Sequence, residues 1–200
     1  MDDTNVRPDT VDVPAMTLRE SCVVGGDTVV DEDLLSRLRR NDRAAWEGFY
    51  DSVAGELRGY AKRIGARDPD DILGEVMVQV VRDLPRFAGT AGELRPWVYR
   101  IARNRVIDAA RRRARRVEET ALEDDNQPGA PAVGFVEPGE LAGLLELLTE
   151  DQREAVWLRF GLDMSLAEAA EVMDREPAAV AALTMRAMNR LRRLLAPAGR

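Results

Sequence analysis

Apolar residues recur along most of this chain at steps of three and four, the period of an α-helix. Leu34, Leu35 and Leu38 form the stripe of a first helix opened by Asp31. The acids at 31–33 suit the positive end of its dipole. Asn41-Asp42 is a break. Trp46, Phe49/Tyr50, Val53, Leu57, Tyr60/Ala61 and Ile64 then mark a long helix over 43–64, with Gly65 as its C-cap. The run DPDD at 68–71 is a helix start: Asp68 can cap, Pro69 suits the first position and Asp71 falls in the first turn. Ile72, Leu73, Val76, Met77, Val80, Val81 and Leu84 follow until Pro85 stops the helix. A Gly-containing loop occupies 87–92, and Pro96 opens the next helix, whose packed face is marked by Trp97, Ile101 and the Val106/Ile107 pair.

The pattern fails in two places. Residues 1–30 carry Pro8, Pro14, Gly25 and Gly26, excess acid and no apolar face, so they are expected to be a disordered acidic arm. From 117 to 137 six acids (Glu118, Glu119, Glu123, Asp124, Asp125 and Glu137) meet no basic residue, and Pro128, Gly129, Pro131 and Gly134 deny regular structure, which predicts a flexible, self-repelling linker and a domain boundary. Beyond it, over 138–196, the elements are short. One helix covers about 139–148. Thr149 and Gln152 form a capping box for a second, which ends near 160–161. Ser165 and Glu168 form another, opening a helix to about Met173, and Pro177 starts the last. Short helix, tight turn, longer helix is the helix-turn-helix pattern. The fold class expected is therefore all-α: two small helical domains, 31–116 and 138–196, joined by a flexible acidic linker.

Composition narrows the chemistry. There is no histidine, which removes the commonest general base and zinc ligand, and a single cysteine, Cys22, cannot form an internal disulfide or a zinc site alone. No apolar run reaches the roughly 20 residues of a membrane helix, and the acidic start is not a secretory signal. No nucleophile–base pair, metal cluster or phosphate loop stands out, so neither a catalytic residue nor a cofactor or metal is expected.

Charge then singles out one stretch. The chain carries a net −7, yet nine arginines between 94 and 116 oppose one acid, Asp108. A cationic helix in an acidic protein fits a polyanionic or acidic partner, and equally a solvated arginine-rich face. Residues Asp70, Asp71 and Glu75, near the start of the preceding helix, fit helix-dipole stabilisation as well as an acidic docking face. Lys62 is the only lysine.

Three stretches resemble one family: DPDDILGEVMVQVVRDLPRF at 68–87, RPWVYRIARNRVIDAARRRAR at 95–115, and LTEDQREAVWLRFGLDMSLAEAAEVM at 148–173. In order and spacing, the chain resembles a bacterial extracytoplasmic-function (ECF) sigma factor of the sigma-70 family over 31–196. The resemblance implies that 31–116 is the region 2 domain and 138–196 the region 4 domain of a promoter-specificity subunit. It implies core RNA polymerase (its beta-prime clamp and beta flap) and promoter DNA as partners, an anti-sigma factor as a further one, and a cytoplasmic location without membrane insertion. Asp70, Asp71 and Glu75 then correspond to the surface that docks on the arginine-rich beta-prime clamp. Arg100, Arg103, Arg111 and Arg112 correspond to the track on the minus-ten element. Asn104 matches the position that helps to hold a flipped, non-template-strand base. Strand opening is expected to run on capture of unstacked bases, with the polymerase doing the chemistry.

Two departures from the family pattern stand out. Gly74 replaces a common Gln on the docking helix. In the last helix, Ala181, Ala182, Leu183 and Met185 stand where Lys, Ser, Arg and His are common. Arg175, Ala178, Ala179, Ala182 and Arg186 are the residues expected to face the minus-thirty-five element, with few phosphate clamps among them, so weak or shape-based reading is expected there. Two other functions remain: a sigma-derived protein-interaction module, kept open by the apolar run at 178–185, and a stand-alone helix-turn-helix regulator, which predicts a strongly basic last helix.

Overall fold

The computed structural model describes residues 30–120 and 140–195, with no strand among the described residues. Almost all of the expected acidic arm at 1–30, and the linker from 121 onward, lie outside the described residues.

In the first domain α1 spans Glu32–Arg39, α2 Arg43–Arg63, α3 Pro69–Asp83 and α4 Ala91–Thr120. The starts follow the expected chemistry. Asp31 accepts the amide of Leu34 at 2.7 Å, Asp42 that of Ala45 at 3.1 Å and Asp68 that of Asp71 at 3.0 Å. Asn41 takes the left-handed conformation (φ 60°) at the α1–α2 corner. Ile64 is the C-cap of α2, and Gly65 (φ 99°) follows it, reversing the chain as only glycine does readily. Pro85 ends α3 in a 3₁₀ turn, Leu84–Arg86.

α4 differs from expectation at both ends. It begins at Ala91, so Pro96 lies inside it rather than at its start. The reason is a cap at Thr90: its amide and hydroxyl donate to Glu93 Oε2 at 2.7 and 2.9 Å, which fixes the first turn five residues earlier. The loop shortens accordingly. At the other end the helix continues through Thr120, into the first four residues assigned to the linker.

In the second domain α5 spans Glu140–Glu146, shorter than expected. α6 covers Glu150–Val156, α7 Leu166–Met173 and α8 Pro177–Leu195. Both capping boxes form. Past α6 the chain widens into a π-helical turn, Trp157–Gly161, closed by the Leu162 amide on the Trp157 carbonyl at 2.9 Å. Asp174 (φ 51°) makes the left-handed turn of the helix-turn-helix.

The aliphatic cores form where the period placed them. Phe49, Leu57, Tyr60, Val76, Val80, Leu94, Tyr99 and Ala102 are at most 1% exposed, each large side chain contributing about 1.5–3 kcal/mol of burial. Val81 is a correction: it belongs to the apolar run of α3 but is 48% exposed, beside Val78 at 70%. The two domains also touch. α4 lies along α7, and one apolar cluster runs continuously from Leu35 in α1 to Val180 in α8.

Candidate nucleic-acid interface

α3 presents its free face first as acid and then as hydrocarbon. Asp70 and Asp71 are exposed in the first turn; Asp70 pairs with Arg58 at 2.6 Å. Gly74 follows with nothing within 4 Å of where a Cβ would stand, and then Val78 and Val81. These residues fall three and four apart, one helix face. Met77 and Val81 also meet Trp46 and Tyr50 of α2 in an open groove. Glu75 sits at the flank. Its carboxylate turns toward α4, 3.7 Å from Arg105 and 3.9 Å from Arg112. Arg105 is further held by Gln79, whose Oε1 accepts from its Nε at 2.9 Å.

The arginines of α4 therefore have three destinations. Arg105 and Arg112 face α3. Arg111 lies near Asp108 (3.6 Å) on the solvent side, where Asn104 is exposed. Arg100, Asn104, Ile107, Arg111 and Arg115 share one face by their four- and three-residue spacing. Trp97 stacks on Phe87, ring centroids 4.8 Å apart, and Ile101 is buried, so both anchor the helix as expected.

Arg95, Arg100 and Arg103 meet the second domain. Arg103 donates to Glu154 of α6 at 3.0 Å, and the same oxygen accepts the Tyr60 hydroxyl at 2.7 Å. Glu154 is only 8% exposed, the one buried charged residue among those described. Arg100 lies 3.7 Å from Glu171 of α7. Arg95 donates to the Leu162 carbonyl at 2.9 Å and to Glu56 at 2.9 Å, which also accepts the Tyr99 hydroxyl at 2.8 Å. Arg63 lies over the Trp157 ring at 3.7 Å. Burial, with the Glu154 carboxylate beside it, raises the Tyr60 phenol well above the ordinary tyrosine range; burial and Glu56 do the same to Tyr99. Period and spacing did not single out Glu56, Glu154 or Glu171, because a charge on a helix face does not name its partner.

In α8, Ala178 and Ala179 are exposed, Ala182 is half-buried, Arg186 is exposed, and Met185 is 64% exposed. Arg175, just before the helix, is paired with Asp151 at 2.6 Å. The free start of this helix is thus apolar and small, as the sequence has it. Among the described residues no group of acids or sulfur ligands could hold a metal ion, and no helix is long and apolar enough to cross a membrane.

Comparison with known proteins covers both domains. Residues 49–116 match the sigma-70 region 2 family and residues 139–191 match sigma-70 region 4. The ECF RNA polymerase sigma factor ShbA of Streptomyces griseus subsp. griseus is 28% identical over 180 residues, 86% of this chain and 90% of that protein. The ECF sigma factor SigC of Mycobacterium tuberculosis (strain CDC 1551 / Oshkosh) is 30% identical over 152 residues, 73% of this chain and 80% of that protein. Among solved structures, the sigma factor RpoE of Bartonella quintana, in complex with the anti-sigma factor NepR, has a similar fold: TM-score 0.59 at 22% identity, covering 76% of this chain and 98% of that one. With both regions matched in order, on the helices that carry the acidic face and the arginine track, the chain belongs to the ECF group of the sigma-70 family.

Proposed function

We propose that this sigma factor divides promoter recognition and polymerase docking among the free faces of α3, α4 and α8. A sigma factor directs transcription initiation by core RNA polymerase, so its parts are a regulatory subunit's rather than an enzyme's. The face of α3 from Asp70 and Asp71 to Val78 and Val81 is the polymerase dock: acid for an arginine-rich partner at one end, apolar area for affinity at the other. Glu75 acts mainly through α4, holding Arg105 and Arg112 in place. On α4, Arg100, Arg103, Arg111 and Arg112 track phosphates of the minus-ten element, and Asn104, whose amide has both a donor and an acceptor, reads an unstacked base. Residues 31–116 and 138–196 are the two working domains. An anti-sigma factor, as in the RpoE–NepR pair, is a further partner class for this chain.

The observation that carries this reading is the exposed mixed face of α3 set beside the arginine-rich helix α4, both within the region 2 match. The test is run-off transcription and core-polymerase capture with Asp71→Arg and Val78→Asp. Both positions are exposed, so the fold is expected to survive; capture and run-off are expected to fall at least roughly tenfold. Unchanged capture by both variants would falsify the assignment of the dock. No run-off from any promoter, with capture intact, favours the protein-interaction module that the apolar start of α8 keeps open.

A further inference from the structure

The geometry points to the outer face of α8 as a reader of thymine methyl groups: Ala178, Ala182 and Met185 recognise the C5-methyls of neighbouring A·T pairs in the minus-thirty-five element. The inference rests on the reading of α8 as a promoter-facing helix and names what that face selects.

α8 has two opposed sides. Val180, Ala187 and Leu191 are buried in the domain. At about 100° per residue, Ala178, Ala182, Met185 and Asn189 lie roughly half a turn away from them. Ala178 and Asn189 are exposed, Ala182 is half-buried and Met185 is 64% exposed. Asp174 turns the chain between α7 and α8 in the left-handed conformation. α8 is therefore the second helix of the helix-turn-helix, the one whose first turns meet base edges in the major groove of a duplex.

Those first turns offer little hydrogen-bonding chemistry. From Pro177 to Met185 the one polar side chain is Thr184, and its hydroxyl donates to the Val180 carbonyl at 2.9 Å. Arg175, at the entry, is held by Asp151 at 2.6 Å. In the major groove base pairs are told apart by donors, by acceptors and by one apolar feature, the thymine methyl. A stripe of methyls and a thioether has only the last to read. The shortness of alanine suits this, because it lets the helix backbone come close to the base edges. Met185 reaches farther on a flexible, polarisable side chain. Ala178 and Met185 are separated by about 10 Å along the helix axis. That is the rise of about three base pairs. Arg186, Arg190 and Arg193 are exposed on the later turns at the flank of the stripe, where they can hold phosphates. That cationic flank favours a duplex over an apolar protein groove as the occupant.

The test uses holoenzyme assembled from the full chain and core RNA polymerase. Promoters are recovered by run-off from a template pool of random sequence. The minus-thirty-five stretch is then rebuilt with thymine, deoxyuridine (which lacks only the methyl), cytosine or 5-methylcytosine at the same positions. Recovered promoters are expected to carry adjacent A·T pairs in that stretch. Deoxyuridine is expected to lower run-off about fourfold per methyl removed, and 5-methylcytosine to exceed cytosine by a similar factor. Met185→Ala, at an exposed position where the fold is expected to survive, should shrink the thymine–deoxyuridine difference at one position and keep it at the others. Equal run-off from thymine and deoxyuridine templates, with scrambling of the stretch still harmful, overturns methyl reading in favour of DNA shape. Run-off indifferent to scrambling as well overturns it in favour of a protein partner on α8. Both of these results leave initiation by this chain standing. No run-off from the whole pool, with core polymerase captured, overturns the promoter reading beneath the inference and the inference with it.

Discussion

Two glycines, close in sequence around the Asp68 cap, have opposite requirements. Gly65 sits at φ 99°, where a Cβ is strained whatever space surrounds it. Gly74 is helical, with nothing within 4 Å of a Cβ. Gly65→Ala is expected to destabilise the chain by about 1–2 kcal/mol. Gly74→Ala is expected to stabilise it by about 1 kcal/mol, because alanine loses less backbone entropy in a helix. Urea unfolding of the two variants reads both signs. Two tyrosines make a second residue-level case. Burial and a neighbouring carboxylate raise Tyr60 (Glu154) and Tyr99 (Glu56), so the folded protein favours their neutral forms. That contribution is fully present below the ordinary tyrosine range and is lost as pH rises through the raised folded values. In an alkaline titration, the phenolate absorbance of these two of the chain's three tyrosines is expected to appear only together with loss of helical circular dichroism. Early ionisation of both in the folded protein counts against their burial.

At the scale of the element, the starts of helices were the most legible feature. Asp31, Asp68, Thr149 and Ser165 all cap as their spacing indicates, because a cap is a local bond between residues a few positions apart. The same signature stands at Thr90 and Glu93, and it rather than Pro96 sets the start of α4, with the proline carried inside the helix. The face of α3 was half legible. Its acids could be read, but Val78 and Val81 could not be told from core, since an apolar run on a helix does not say which side is covered. α8 reads as depleted in both sequence and structure, with Ala178, Ala179 and Met185 at its free start. In run-off assays with core polymerase, scrambling the minus-ten element is expected to abolish initiation. Scrambling the minus-thirty-five element is expected to lower it by roughly tenfold or less. Equal losses from both would restore α8 to a full reading role.

For the whole molecule, what could be read from the sequence was a pair of domains, and what could not be read was their embrace. Glu154 and Arg103 lie far apart along the chain, and periodicity reports faces, never partners. The arginine helix therefore has a double life. Its residues are at once the surface expected to meet nucleic acid and the surface that receives α6 and α7. Removing Arg103 leaves Glu154 buried with no opposite charge and only the Tyr60 hydroxyl as a partner, which is a larger loss than the pair's own net worth. The closed arrangement is held by such polar fits together with one apolar cluster shared between the domains.

The π-helical turn at Trp157–Gly161 gives this arrangement an evolutionary weak point. A π turn is a helix with one residue too many, and the surplus here lies between Glu154 on one side and Leu162 on the other. Loss of a single codon within it restores regular helix and swings everything beyond by about 100° relative to what precedes it. Trp157 under Arg63 and the Leu162 carbonyl under Arg95 then no longer face the first domain together. A single deletion here thus parts two contacts that hold the second domain on the first, while the side chains of α3 and α4 stay as they are.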